Sequence, residues 1–134
     1  MIIGENATIE EVREMFKNDK FATKVTGCTI EEAAKGYSKC KLELTPDHFN
    51  AAGGVMGGAI FTLADLAFAV ASNVGEELSV GVSNNIEFLQ ASKGETLIAE
   101  CHVERSGRST GFYTCTVTDD TGKKIAIMTG VCHR

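Results

Sequence analysis

Between Asp47 and Glu76 only two side chains can give or take a proton near neutrality, His48 and Asp65. Asp65 lies inside the apolar run 59–71, just after the glycine pair Gly57 and Gly58. A carboxylate is expensive to bury without a partner or a task. Asp65 is therefore expected to be a buried acid that either does chemistry or satisfies a neighbouring strand.

The glycine pair stands where a helix would begin. The first amides of a helix have no partner within it, and the dipole is positive there. Glycine leaves that backbone open to close approach. Such a site polarises a carbonyl oxygen or holds an anion. The same glycines would also suit helix entry or tight packing of helix on sheet. Asp65 follows Gly57 by eight residues, about 12 Å along a helix rising ~1.5 Å per residue. Hydrogen-bond reach is about 3 Å, so Asp65 cannot act on a group held at the start of its own helix. If both features serve one reaction, the carboxylate comes from a second copy of the chain. That requires a two-fold dimer with central helices side by side and two equivalent sites.

Other reactive side chains offer less. The five cysteines, Cys28, Cys40, Cys101, Cys115 and Cys132, are odd in number and lack a Cys-x-x-Cys pair. They read as reduced core thiols of a cytoplasmic protein rather than a disulfide framework. Cys101 and His102 are sequence neighbours, but neighbours on a strand point to opposite faces. His48, His102 and His133 lack metal-ligand spacing, so no metal is expected.

The elements that must position these residues follow from spacing. Thr8 and Glu11 have the spacing of a capping box, and Ile9, Val12, Met15 and Phe16 follow helical spacing, which predicts a helix over 9–18. Residues 23–45 read as two strands divided at Gly36, and 46–54 as an irregular connection with the only proline. A helix over 56–73 is apolar nearly all round and should be wrapped by other structure, with Gly75 ending it. Strands follow over 78–88, 96–105, 112–118 and 124–132. In the first of them Leu78, Val80, Val82, Ile86 and Phe88 are expected to share one face. Ser106–Arg108 and Asp119–Gly122 have turn chemistry.

The implied class is α+β: a curled antiparallel sheet of about five or six strands around one long helix, in a single domain spanning 1–134. A doubly wound parallel sheet is excluded, because the last four strands have no helices between them. A net charge of -5 argues against a nucleic-acid partner. No signal peptide or membrane span is expected from this composition.

The segment 48–65 resembles the signature of the hotdog-fold acyl-CoA thioesterases, in the phenylacetate-pathway (PaaI-like) branch. That signature holds an asparagine, a glycine, His-Gly-Gly and an aspartate seven residues beyond the second glycine. Here those places are Asn50, Gly53 or Gly54, Met56-Gly57-Gly58 and Asp65. The stretch 85–89 is similar to the family's central strand, 105–108 to its basic turn and 122–130 to its last strand, so the likeness covers about 20–133. It implies a hotdog fold and hydrolysis of an acyl- or aryl-CoA thioester to free acid and coenzyme A. No cofactor is implied, because the coenzyme A thioester is itself the substrate.

By the resemblance, the amide at Gly57 holds the thioester carbonyl, Gly58 belongs to the same catalytic set, and Asp65 of the other subunit is nucleophile or general base. Asn50 orients the thioester or the water, and Ser83, or Ser79 or Asn85 in its place, assists the water. Met56, Phe88, Lys93, Arg105, Gly107, Arg108 and Ser109 fall on the substrate contacts, the cations facing phosphates. The resemblance also implies a homodimer that pairs into a dimer of dimers. Two departures stand out: Met56 replaces the family histidine, and Gln90-Ala91 stands where a proline is common. A non-catalytic acyl-CoA binder and a hotdog hydratase or dehydratase are the alternatives.

Overall fold

The computed structural model describes residues 3–134. Thr8 starts the first helix as its spacing predicts, its hydroxyl accepting the Glu11 amide at 3.2 Å. Helix α1 (Ile9–Phe16) buries Val12 and Phe16 and stops two residues short of the expected end. The next segment departs from expectation. Phe21–Thr26 forms a π-helical turn, closed by Gly27 at φ 91°, and the first strand begins only at Thr29. The β-branched Thr23, Val25 and Thr26 suit a strand, but a distant contact overrides them: the His48 ring donates to the Thr26 carbonyl at 2.7 Å.

Six strands follow the turn: β1 (Thr29–Ala34), β2 (Tyr37–Glu43), β3 (Val80–Phe88), β4 (Thr96–Ser106), β5 (Thr110–Asp119) and β6 (Lys124–His133). They form one antiparallel sheet in the order β1-β2-β4-β5-β6-β3. The long helix α2 (Gly57–Asn73) crosses its concave face against β2, β4 and β5. This is the expected hotdog arrangement, a sheet curled around one helix. Alternate residues of the middle strands fill the core, among them Leu42, Leu97, Ala99, Val117 and Met128. The sheet also satisfies helix carbonyls, since Ser38 Oγ donates to Ala67 at 2.5 Å. All five cysteines are buried and unpaired. Cys101 faces Cys115 across the β4–β5 ladder, while His102 lies on the exposed side.

Two features of the exposed surface were not expected. Helix α2 is not covered all round: Gly58, Phe61, Thr62, Asp65 and Ala69 form one stripe that the sheet leaves open. Strand β3 is an edge strand, and a bulge between Gly81 and Ser83 breaks its alternation. The extra residue reverses the faces. Val80 lies opposite the exposed His133, whereas Ile86 and Phe88 lie opposite the buried Met128 and Ala126. The expected single apolar face of β3 is therefore split across both sides of the sheet.

Candidate active site

Helix α2 begins with an extended N-cap, Met56, whose side chain supplies no cap. The Met56 amide is used by the His48 carbonyl at 2.8 Å, and the Ala59 and Ile60 amides by the Met56 carbonyl. The amides of Gly57 and Gly58 have no acceptor among the described residues. Two free N–H groups thus stand at the positive end of a 17-residue helix. The Phe88 ring lies over Gly57, so close that a Cβ there would stand 3.0 Å from its Cζ. At Gly58 a Cβ would meet nothing within 4 Å.

Asn50 shapes the loop that delivers this helix start. Its side-chain carbonyl accepts the amides of Ala52 at 3.0 Å and Gly54 at 3.1 Å, and Gly53 closes the loop at φ 85°. His48 is the anchor that sequence reasoning passed over as an ordinary histidine. It is buried. Its Nδ1 accepts the Thr45 amide at 2.9 Å, and its Nε2 reaches the Thr26 carbonyl. An amide can only donate and a carbonyl can only accept, so the ring is the neutral tautomer protonated at Nε2. Thr45 and His48 have capping-box spacing, and that spacing was the available signal.

Asp65 is exposed in the single protomer, contrary to the expectation of a buried acid. No neighbouring strand satisfies it; no hydrogen bond or ion pair among the described residues uses its carboxylate. The apolar wall around the base of the side chain strips part of its water and raises its pKa above the usual carboxylate value, and the negative charge of Asp19 adds to the rise. Asp19, just before the π-helical turn, is raised by desolvation as well. Nothing in the spacing of the chain marked Asp19, because only the fold brings it near α2.

The remaining predicted residues separate into two groups. Lys93 follows β3, at the end of the sheet that carries Phe88 and Gly57. Arg105, Gly107, Arg108 and Ser109 lie at the opposite end of β4, nine or more residues beyond Thr96, which is about 30 Å along an extended strand. One protomer does not bring them together. Their turn is pinned by Arg134, which donates to the Gly107 carbonyl at 3.4 Å and to Tyr113 at 3.0 Å. Ser83 pairs opposite Val131, on the face of the sheet turned away from α2. Asn85 shares that outer face and donates to Glu87 at 3.1 Å, and Ser79 is buried against the Glu77 carbonyl. The polar side chain that β3 turns toward the helix is Asn84, beside Phe68 and Gly130. A cavity of about 520 Å³ between α1 and the β1–β2 hairpin holds neither Gly57 nor Asp65. Its Lys41 is paired with Glu31 at 3.3 Å.

Residues 52–126 match the model of the thioesterase superfamily. A protein of Archaeoglobus fulgidus that carries an esterase name is 37% identical over 94% of this chain and 82% of its own. The acyl-coenzyme A thioesterase PaaI of Escherichia coli is 31% identical over 93% of this chain and 89% of its own. The solved structure of the Escherichia coli PaaI protein superposes with a TM-score of 0.86, covering 94% of this chain and 92% of the other.

Proposed function

The chain belongs to the thioesterase superfamily and hydrolyses acyl-CoA thioesters; from that premise we propose that its reaction runs between two copies of the chain. The free amides of Gly57 and Gly58 hold the carbonyl oxygen of the bound thioester and the negative charge that develops on it. Asp65 of the partner subunit takes the proton of an attacking water, or attacks the carbonyl carbon itself. Either way the C–S bond breaks, coenzyme A leaves as the thiol and the acyl group leaves as the free acid.

The observation that carries this proposal is the open stripe of α2. Gly58, Phe61, Thr62 and Asp65 are spaced symmetrically about a point between Phe61 and Thr62. Two such helices packed antiparallel about a two-fold axis at that point set Phe61 against the partner's Thr62 and Asp65 against the partner's Gly58. The same operation explains why Asp65 lacks a partner in its own protomer and why two amides are left free. The unpaired edge of β3, with Val80 and Val82 55% and 61% exposed, supports the same contact, because such edges are normally paired or covered. A dimer of dimers is the larger assembly the resemblance implies. Five buried, unpaired thiols support a cytoplasmic location, and no helix among the described residues is long and apolar enough to cross a membrane.

The test is thiol release from short, long and aromatic acyl-CoAs, with light scattering for the assembly. Active protein that scatters as a monomer contradicts the two-copy site.

A further inference from the structure

The sequence assigns Asp119 to a hairpin turn, and the turn uses only half of it. One carboxylate oxygen accepts from within the β5–β6 hairpin: the Thr121 amide at 3.0 Å, the Thr121 hydroxyl at 2.6 Å and the Lys123 amide at 3.0 Å. The other accepts from the segment after β3: the Ser92 hydroxyl at 3.1 Å and the amides of Lys93 at 2.9 Å and Gly94 at 3.2 Å. Asp119 is only 2% exposed. Burial alone would raise its pKa, but these donors hold it well below the usual carboxylate range.

The second set of bonds is not required to close a hairpin. It fastens the segment 89–95, together with further ties: Leu89 donates to Ile125 at 2.8 Å, the Gln90 side chain to Lys124 at 2.8 Å and the Glu95 amide to Asp120 at 3.0 Å. At Gly94 a Cβ would stand 1.7 Å from an Asp120 oxygen, so a larger residue there displaces the Asp120 carboxylate that accepts from Glu95. The segment lacks a stiffening proline, and the aspartates take that role. It leaves directly from Phe88, whose ring covers Gly57, and it carries Lys93, which is exposed and forms no ion pair among the described residues.

We propose that Asp119 is a positioning residue for the substrate: it fixes the segment 89–95 so that Lys93 meets a phosphate of the coenzyme A portion, at the end of the sheet where α2 begins. The inference rests on the acyl-CoA thioesterase function given above. It is tested with Asp119→Asn, in which an amide group faces donors. The expected result is a KM for acyl-CoA raised about tenfold, the loss expected for one weakened charge-assisted contact, with kcat kept to the same order. The same acyl group on N-acetylcysteamine, which has no phosphate, keeps its KM. Adding Lys93→Ala to Asp119→Asn raises the acyl-CoA KM no further. If Asp119→Asn does not fold, Ser92→Ala decides, with a smaller rise of the same sign. An unchanged KM for acyl-CoA, or an equal rise for both substrates, overturns the proposal. Calorimetric binding of free coenzyme A to both proteins carries the test without turnover, so its failure is distinguishable from an absence of hydrolysis.

Discussion

A single methyl group at Gly58 should move stability and turnover in opposite directions. Within one protomer the site is open: no heavy atom stands within 4 Å of a built Cβ, and Gly58 is not among the residues of positive φ. Glycine in a helix costs roughly 0.5–1 kcal/mol relative to alanine, and less in the first turn, so Gly58→Ala is expected to gain about 0.5 kcal/mol. For a domain of this size that is a rise in Tm of about 1–3 °C. In the proposed dimer the methyl stands where the partner's Asp65 must approach the thioester. A displacement of about 1 Å in a reacting group costs on the order of a hundredfold in rate, so kcat should fall about that far. Thermal unfolding, light scattering and thiol release on one preparation measure all three quantities. Gly57→Ala is the contrasting variant: its Cβ meets the half-exposed Phe88 ring at 3.0 Å and pushes it off the helix start, so turnover should fall without the gain in stability. A dimeric Gly58→Ala protein with wild-type kcat refutes the reasoning, because nothing from the partner then approaches that amide.

Three other predictions concern the same site. Asp65→Asn loses on the order of 10²–10⁴ in kcat, the usual contribution of a catalytic acid or base. It also unfolds no more easily near neutral pH. The raised pKa of Asp65 means that its contribution to stability is present below the unfolded value and lost as pH rises through the folded one, and thermal scans at acid and neutral pH check this sign. Asp19→Asn removes a like charge, so the acid limb of the kcat/KM profile should shift to lower pH while the neutral plateau holds; an unmoved limb separates Asp19 from the chemistry. Met56→His leaves kcat of the same order in the thiol-release assay, since the amides that polarise the carbonyl belong to Gly57 and Gly58.

The parts of this site that local pattern controls were legible. The glycine pair and the apolar run after it placed α2, the Thr8 hydroxyl marked the start of α1, and strand alternation separated Cys101 from His102. The parts that failed depend on contacts distant in sequence. The π-helical turn 21–26 has strand-like residues and is held by His48 from 22 residues away. The bulge at Gly81 and Ser83 has no turn residue beyond one glycine to announce it, yet it turns Val80 to the outer face, away from Ile86 and Phe88. Asp65 sits in a run that looks buried, and its exposure is decided by how far the sheet curls around α2. That exposure leaves the carboxylate open to a second copy, as the proposed two-copy site requires.

The most direct measurement mixes two inactive proteins. Asp65→Asn lacks the acid, and Gly57→Val blocks the helix start; each homodimer is dead at both sites. In a mixed dimer, an acid supplied by the partner gives one site with both defects and one with neither. Random re-pairing after unfolding and refolding the two together should then restore about a quarter of wild-type activity, since about half the dimers are mixed and each holds one intact site. If the acid serves the helix start of its own chain, every site keeps one defect and the mixture stays inactive, which would contradict the account.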